Sequence, residues 1–133
     1  MSETGPMSIP VVGLNHAVLF VRDATKAAEF YARVFGFDVV GSEFGGQAVF
    51  MRSPIGDNHH DLGLFSVGPD APRPARGSVG LYHLAWEVPR IEDLADASRI
   101  LQEAGALGGS QLLEGETFGR GQVADLTRFD VAA

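Results

Sequence analysis

Gly13-Leu14-Asn15-His16-Ala17-Val18-Leu19-Phe20-Val21 returns 67 residues later as Gly80-Leu81-Tyr82-His83-Leu84-Ala85-Trp86-Glu87-Val88, with glycine, leucine, histidine and valine in matching places. Each copy leads through an acidic turn into a helical pattern, so the duplicated unit is a strand plus a helix. Two copies imply a pseudo-twofold pair, not a solenoid.

Outward from the first copy, Asp23 stands as an N-cap ahead of Ala27, Phe30, Tyr31 and Val34, which share one face at helical spacing, and Gly36 supplies a left-handed C-cap. After the second copy, Pro89 separates strand from helix. Glu92 and Asp93 fall in the first turn, where the helix dipole favours acids, Leu94, Ala97, Leu101 and Ala104 face inward, and Gly105 ends the helix. Between the copies, Phe37 to Phe44 and Gln47 to Arg52 are β-rich and joined by Gly45-Gly46, a pair suited to a two-residue hairpin. His60 to Val67 reads as a further strand. The expected architecture is α+β: paired β-α-β-β-β modules forming a curved mixed sheet around a cleft, the second module incomplete. Residues 1–10 are read as a flexible extension, 11–67 as the first module, 68–77, with Pro69, Pro72 and Pro74, as a stiff linker, and 78–133 as the second module with a divergent or truncated C-terminal part. After Gly105, glycines 108, 109, 115, 119 and 121 interrupt the apolar residues and leave Gln122 to Phe129 as the one pairing segment.

At 133 residues and 45% hydrophobic content the chain suits one packed domain, not a disordered or fibrous one. The net charge of −7 repels phosphate backbones and anionic membranes, and no apolar run reaches the roughly 20 residues needed to span a bilayer. A small-molecule partner, with neither nucleic acid nor membrane, and a cytoplasmic location are the expectations. Without cysteine there is no disulfide framework, thiolate ligand or cysteine nucleophile, so any metal must be held by histidine and carboxylate.

Strand alternation groups His16 with Val18 and Phe20 and sets Asn15, Ala17 and Leu19 on the opposite face; both sets are largely apolar, as in a strand covered on both sides. Two readings are open for His16 and His83. Each ring is satisfied by a local backbone carbonyl, or the twofold brings both into one cleft as ligands, imidazole being suited to Zn, Fe, Ni and Cu. His60 alternates with Leu62 and Leu64, which points it into the same concave face with Asp61 turned away; its ordinary pKa of ~6.5 suits a general acid or base, and the bland reading is a solvated turn histidine. His59 is read as the exposed member of the pair. Trp86, Phe50 and Tyr82 either line an aromatic pocket or belong to the core.

Residues 13–23, Ala28-Glu29-Phe30-Tyr31-Ala32-Arg33-Val34-Phe35-Gly36-Phe37, His59-His60-Asp61-Leu62-Gly63-Leu64-Phe65 and 81–88 together resemble the vicinal oxygen chelate superfamily of glyoxalases, bleomycin-resistance proteins and extradiol dioxygenases. The similarity covers residue 11 to about 106, and the His-His-x-Leu-x-Leu segment is most similar to the extradiol branch. The resemblance implies His16 and His83 as metal ligands and His60 as the acid/base. It implies a divalent metal, Fe(II) or Mn(II) ahead of Zn(II) or Ni(II), acting on a vicinal-oxygen substrate, with O2-dependent catechol ring cleavage the leading activity. Such proteins complete the ligand set with a glutamate on a last strand, and residues 107–133 show no matching strand. Glu114, Glu116, Asp125 and Asp130 are the substitutes, or a second subunit supplies the ligand, and a homodimer is the expected assembly. The alternatives are a non-catalytic binding protein that sequesters a small ligand and a glyoxalase-like lyase or isomerase.

Overall fold

Strand β1 (Ala17–Val21) ends against the Asp23 cap of helix α1 (Ala24–Phe35) in the computed structural model, which describes residues 7–81, 84–105 and, as backbone, 111–117 and 122–125. The Asp23 carboxylate accepts from the Lys26 N–H at 3.1 Å, and Gly36, at φ 69°, closes the helix in the left-handed region that glycine enters without Cβ strain. Strands β2 (Asp38–Glu43), β3 (Ala48–Arg52) and β4 (Leu62–Ser66) complete a four-stranded mixed sheet of order β1-β4-β3-β2, in which β1 and β4 run parallel.

The β2–β3 connection differs from the expected two-residue hairpin. Glu43 pairs with Ala48, and Phe44–Gly46 form a 3-10 turn with positive φ at Phe44 (54°), Gly45 (64°) and Gly46 (91°). The glycine pair supplies the left-handed torsions as anticipated, but the turn also draws Phe44 into them and lengthens the loop.

Register divides the sheet into two faces. Leu19, Leu64 and Val49 line up on one, as do Leu62 and Met51, and these lie under Ala24, Ala27, Ala28, Phe30 and Tyr31 of α1. Val18, Gly63 and Phe50 line up on the other, with Phe20 beside Phe65. This second face is open: Val18 is 51% and Phe20 80% exposed. The strand is therefore not covered on both sides as its apolar composition suggested; the helix takes one face and the other is open.

The second group has strand β5 (Ala85–Val88), helix α2 (Ile91–Glu103) and strands β6 (Gln111–Thr117) and β7 (Gln122–Asp125) in the order β5-β7-β6, all antiparallel. Strand β6 corrects the expectation of a single pairing segment after Gly105. Its register shifts between Leu113 and Thr117, around Gly115, so the glycine sits in a bulge instead of ending the strand. Leu94 and Leu101 of α2 join the core of the first group, and Trp86 stands edge-on to Phe37 with ring centroids 5.4 Å apart.

Candidate functional site

The start of β1 and the loop before β4 meet because the two strands are parallel neighbours: Ala17 pairs with Leu62, and the Ala17 N–H donates to the Asp61 carbonyl at 3.1 Å. This places the His16 and His60 rings 4.4 Å apart between centroids, tilted 52° to each other. Phe50 stands edge-on to His60 at 5.4 Å and to Phe65 at 5.8 Å, so the imidazoles form one end of an aromatic strip on the open face. His60 thus lies opposite Leu62 and Leu64, which face the helix, and not on their side as strand alternation suggested, because it precedes the strand in the loop. Gly63 is the low point of that strip. A Cβ there would lie 3.2 Å from Val18 and 3.4 Å from the Phe50 ring, so the absent side chain lets both neighbours close over the strand.

His60 is half-buried and His59 exposed, and their Nδ1 atoms are 3.1 Å apart, one ring donating to the other. With Nδ1 engaged, Nε2 is the atom of His60 that can exchange a proton. Partial burial, then the neighbouring His16 and His59, hold the His60 pKa below its usual 6.5, while Asp61 pulls in the opposite direction. The ring is thus biased toward its neutral form near pH 7. The Asp61 carboxylate itself points back into the loop and accepts from the Ser53 N–H at 2.8 Å.

Of the three histidines expected to act together, the structure brings His16 and His60 to one place, and His83 lies outside the described residues, as does Tyr82. The side chains of Glu114, Glu116 and Asp125 and the whole of Asp130 also lie outside them. Among the described residues no three histidine, aspartate or glutamate side chains converge on a point. His16 nevertheless fits the requirement for a ligand: Nδ1 is taken by the Asn15 Oδ1 at 2.8 Å, which leaves the Nε2 lone pair for a cation. Asn15 and Asn58 escaped the sequence reading because their contact spans 43 positions; the Asn-x-x-Asp spacing at 58–61 was the local signal for a side-chain-stabilised turn. Phe50 belongs to the open face, whereas Trp86 packs against the core and also lines a cavity. This cavity, of about 480 Å3, lies between Phe35, Phe37, Trp86 and helix α2 and reaches Ser53 and Asp61 beside the site, with no histidine among its described lining residues.

Comparison with known proteins identifies the family and the fold. A family model for the Glyoxalase/Bleomycin resistance protein/Dioxygenase superfamily matches residues 13–123. A catechol-2,3-dioxygenase from Bacillus subtilis (strain 168) is 33% identical over 93 residues; the match takes in 69% of this chain but 32% of that protein, so the chain spans about a third of its relative's length. A glyoxalase/dioxygenase from Nostoc punctiforme superposes with a TM-score of 0.60 at 18% identity, covering 96% of this chain and 92% of the other. A lactoylglutathione lyase from Agrobacterium tumefaciens gives 0.56 at 18% identity, covering 93% and 90%. The match of the family model over residues 13–123, most of the chain, together with the paired strand-helix units, places this chain in the glyoxalase, bleomycin-resistance protein and dioxygenase superfamily.

Proposed function

We propose that the protein is a metal-dependent enzyme acting on a small substrate through two vicinal oxygens, with O2-dependent cleavage of a catechol-type ring as its reaction. The observation that carries this reading is the pair of imidazoles 4.4 Å apart at the end of an apolar strip, one with Nε2 free and the other biased toward neutrality. The named relative, a catechol-2,3-dioxygenase, supports the choice of reaction. His16 and His83 are the ligands, with a third donor from a carboxylate of this chain or of a second copy in a homodimer. A divalent cation, Fe(II) or Mn(II) in preference to Zn(II) or Ni(II), supplies Lewis acidity and fixes both oxygens when bound. His60 takes a diol proton at Nε2 and returns it to the opening ring, which its position beside His16 and its lowered pKa favour. Val18, Phe50 and Phe65 present an apolar surface to the ring and exclude water from one side of it. The setting is the cytoplasm; no helix among the described residues is long and apolar enough to cross a membrane.

Anaerobic loading with Fe(II) or Mn(II), followed by catechol and O2, tests the proposal. Ring-opened product and one tightly held metal per site are expected from the wild type. His16→Ala and His83→Ala lose the metal, whereas His60→Gln keeps it and loses turnover. Metal binding that survives both ligand substitutions refutes the assignment. The open aromatic strip by itself favours a second reading, in which the protein sequesters a flat ligand without chemistry; catechol binding that is unaffected by His16→Ala and metal-free conditions supports it. A glyoxalase-like lyase or isomerase uses the same ligands, and metal-dependent isomerisation without O2 uptake identifies it.

A further inference from the structure

We propose that Asp61, Asn58 and Asn15 form a polar relay of positioning residues that fixes the tautomer of His16, and so decides which ring nitrogen it offers. The functional consequence rests on the reading of His16 as a metal ligand; the relay does not.

Asp61 starts the relay. Its N–H donates to the Met51 carbonyl at 2.8 Å and its carbonyl accepts from Ala17, so the backbone is tied to both neighbouring strands. Its carboxylate can only accept, and Oδ2 takes the Ser53 N–H at 2.8 Å. Oδ1 takes Asn58 Nδ2 at 2.9 Å, and the same Nδ2 donates to the Asn15 backbone carbonyl at 2.8 Å. Both amide protons of Asn58 are thereby used. A reversed amide would set its oxygen against a carboxylate and a carbonyl, so the Asn58 orientation is dictated. Its Oδ1 then faces Asn15 Nδ2, at 3.5 Å, which turns the Asn15 Oδ1 toward His16 Nδ1 at 2.8 Å. An amide oxygen has no proton to give, so Nδ1 must carry one, and in the neutral ring the lone pair stands on Nε2. The polarity set by one carboxylate is passed through two amides to the imidazole, and metal-ligating histidines depend on such outer partners for ring orientation and basicity.

Nitrogen-15 NMR of the metal-free, labelled full chain at pH about 8, above the ~6.5 at which imidazole titrates, reads the tautomer directly. The His16 signals are assigned by their loss in His16→Gln. The expected wild-type spectrum shows a protonated Nδ1 and an unprotonated Nε2; Asn15→Leu, and independently the isosteric Asp61→Asn, shift His16 to a mixed or reversed tautomer. A wild-type His16 protonated on Nε2, or unchanged His16 signals in both folded variants, overturns the relay. In a parallel Zn(II) titration Asn15→Leu is expected to weaken binding about 10–100-fold. If Zn(II) affinity is the same in wild type and His16→Ala, the metal reading fails, and the NMR result alone then judges the relay.

Discussion

Replacing Phe20 by alanine tests the openness of the sheet face on which the site depends. Phe20 is 80% exposed, so about a fifth of its surface is hidden within the chain. A fully buried aromatic side chain hides ~200 Å2, which leaves about 40 Å2 here and, at ~25 cal/mol per Å2, a cost of about 1 kcal/mol. Leu62, two residues from Leu64 on the helix side of the neighbouring strand, is fully buried, and Leu62→Ala should cost about 2–5 kcal/mol once the cavity is included. Urea unfolding measures both. With a slope of ~2 kcal/mol/M, Phe20→Ala lowers the midpoint by about 0.5 M and Leu62→Ala by about 1–2.5 M. The measurement is made at low micromolar concentration and repeated tenfold higher, because cover supplied by a second copy makes the midpoint concentration-dependent. A Phe20→Ala loss equal to that of Leu62→Ala and independent of concentration means that the face is covered within one chain, and the assignment of the site to it is wrong.

Other consequences follow from single groups. His60 has its pKa lowered by partial burial and nearby imidazoles, so the unfolded chain binds the extra proton more readily; stability is present above the ordinary ~6.5 and falls as pH drops through the lowered value, and His60→Gln should flatten the limb of a stability profile below ~6.5. Tyr31, buried in the core, has its phenol pushed up to about 12, so the folded form keeps it neutral while the unfolded form ionises near ~10. Stability is therefore retained below pH ~10 and lost above it, and Tyr31→Phe should unfold at higher pH than wild type in an alkaline titration. Gly36→Ala, placed at φ 69°, should cost about 1 kcal/mol, and loss of the Asp23 cap in Asp23→Ala a similar amount; helical CD through thermal melting checks both, and an unchanged midpoint contradicts the capping account.

Helix α1 was legible because its signals are local: Asp23, the Ala27, Phe30 and Tyr31 face and Gly36 lie within fourteen positions. The duplicated strand likewise announced itself through residues 13–21 and 80–88, and with them the family. What failed was read at positions where glycine has two meanings. Gly45-Gly46 permits a tight hairpin or a wider turn, and Phe44 at positive φ decides for the latter. Gly115 ends a strand or lets it bulge, and pairing with β7 decides for the bulge. The apolar composition of β1 suggested cover on both faces, but alternation cannot tell an apolar face that meets a helix from one left exposed. The convergence of His16 and His60 follows from the parallel β1–β4 pairing, a non-local event that neither segment encodes alone.

That parallel pairing has a consequence for how the protein matures. β1 cannot register until the chain has been threaded through α1, β2 and β3 and returned with β4, a closure of about forty-five residues with its attendant entropy cost. His16 and His60 meet across that seam and are apart in any chain in which it has not formed. The juxtaposition of the two imidazoles therefore depends on sheet closure, and any opening that separates β1 from β4 also separates the rings.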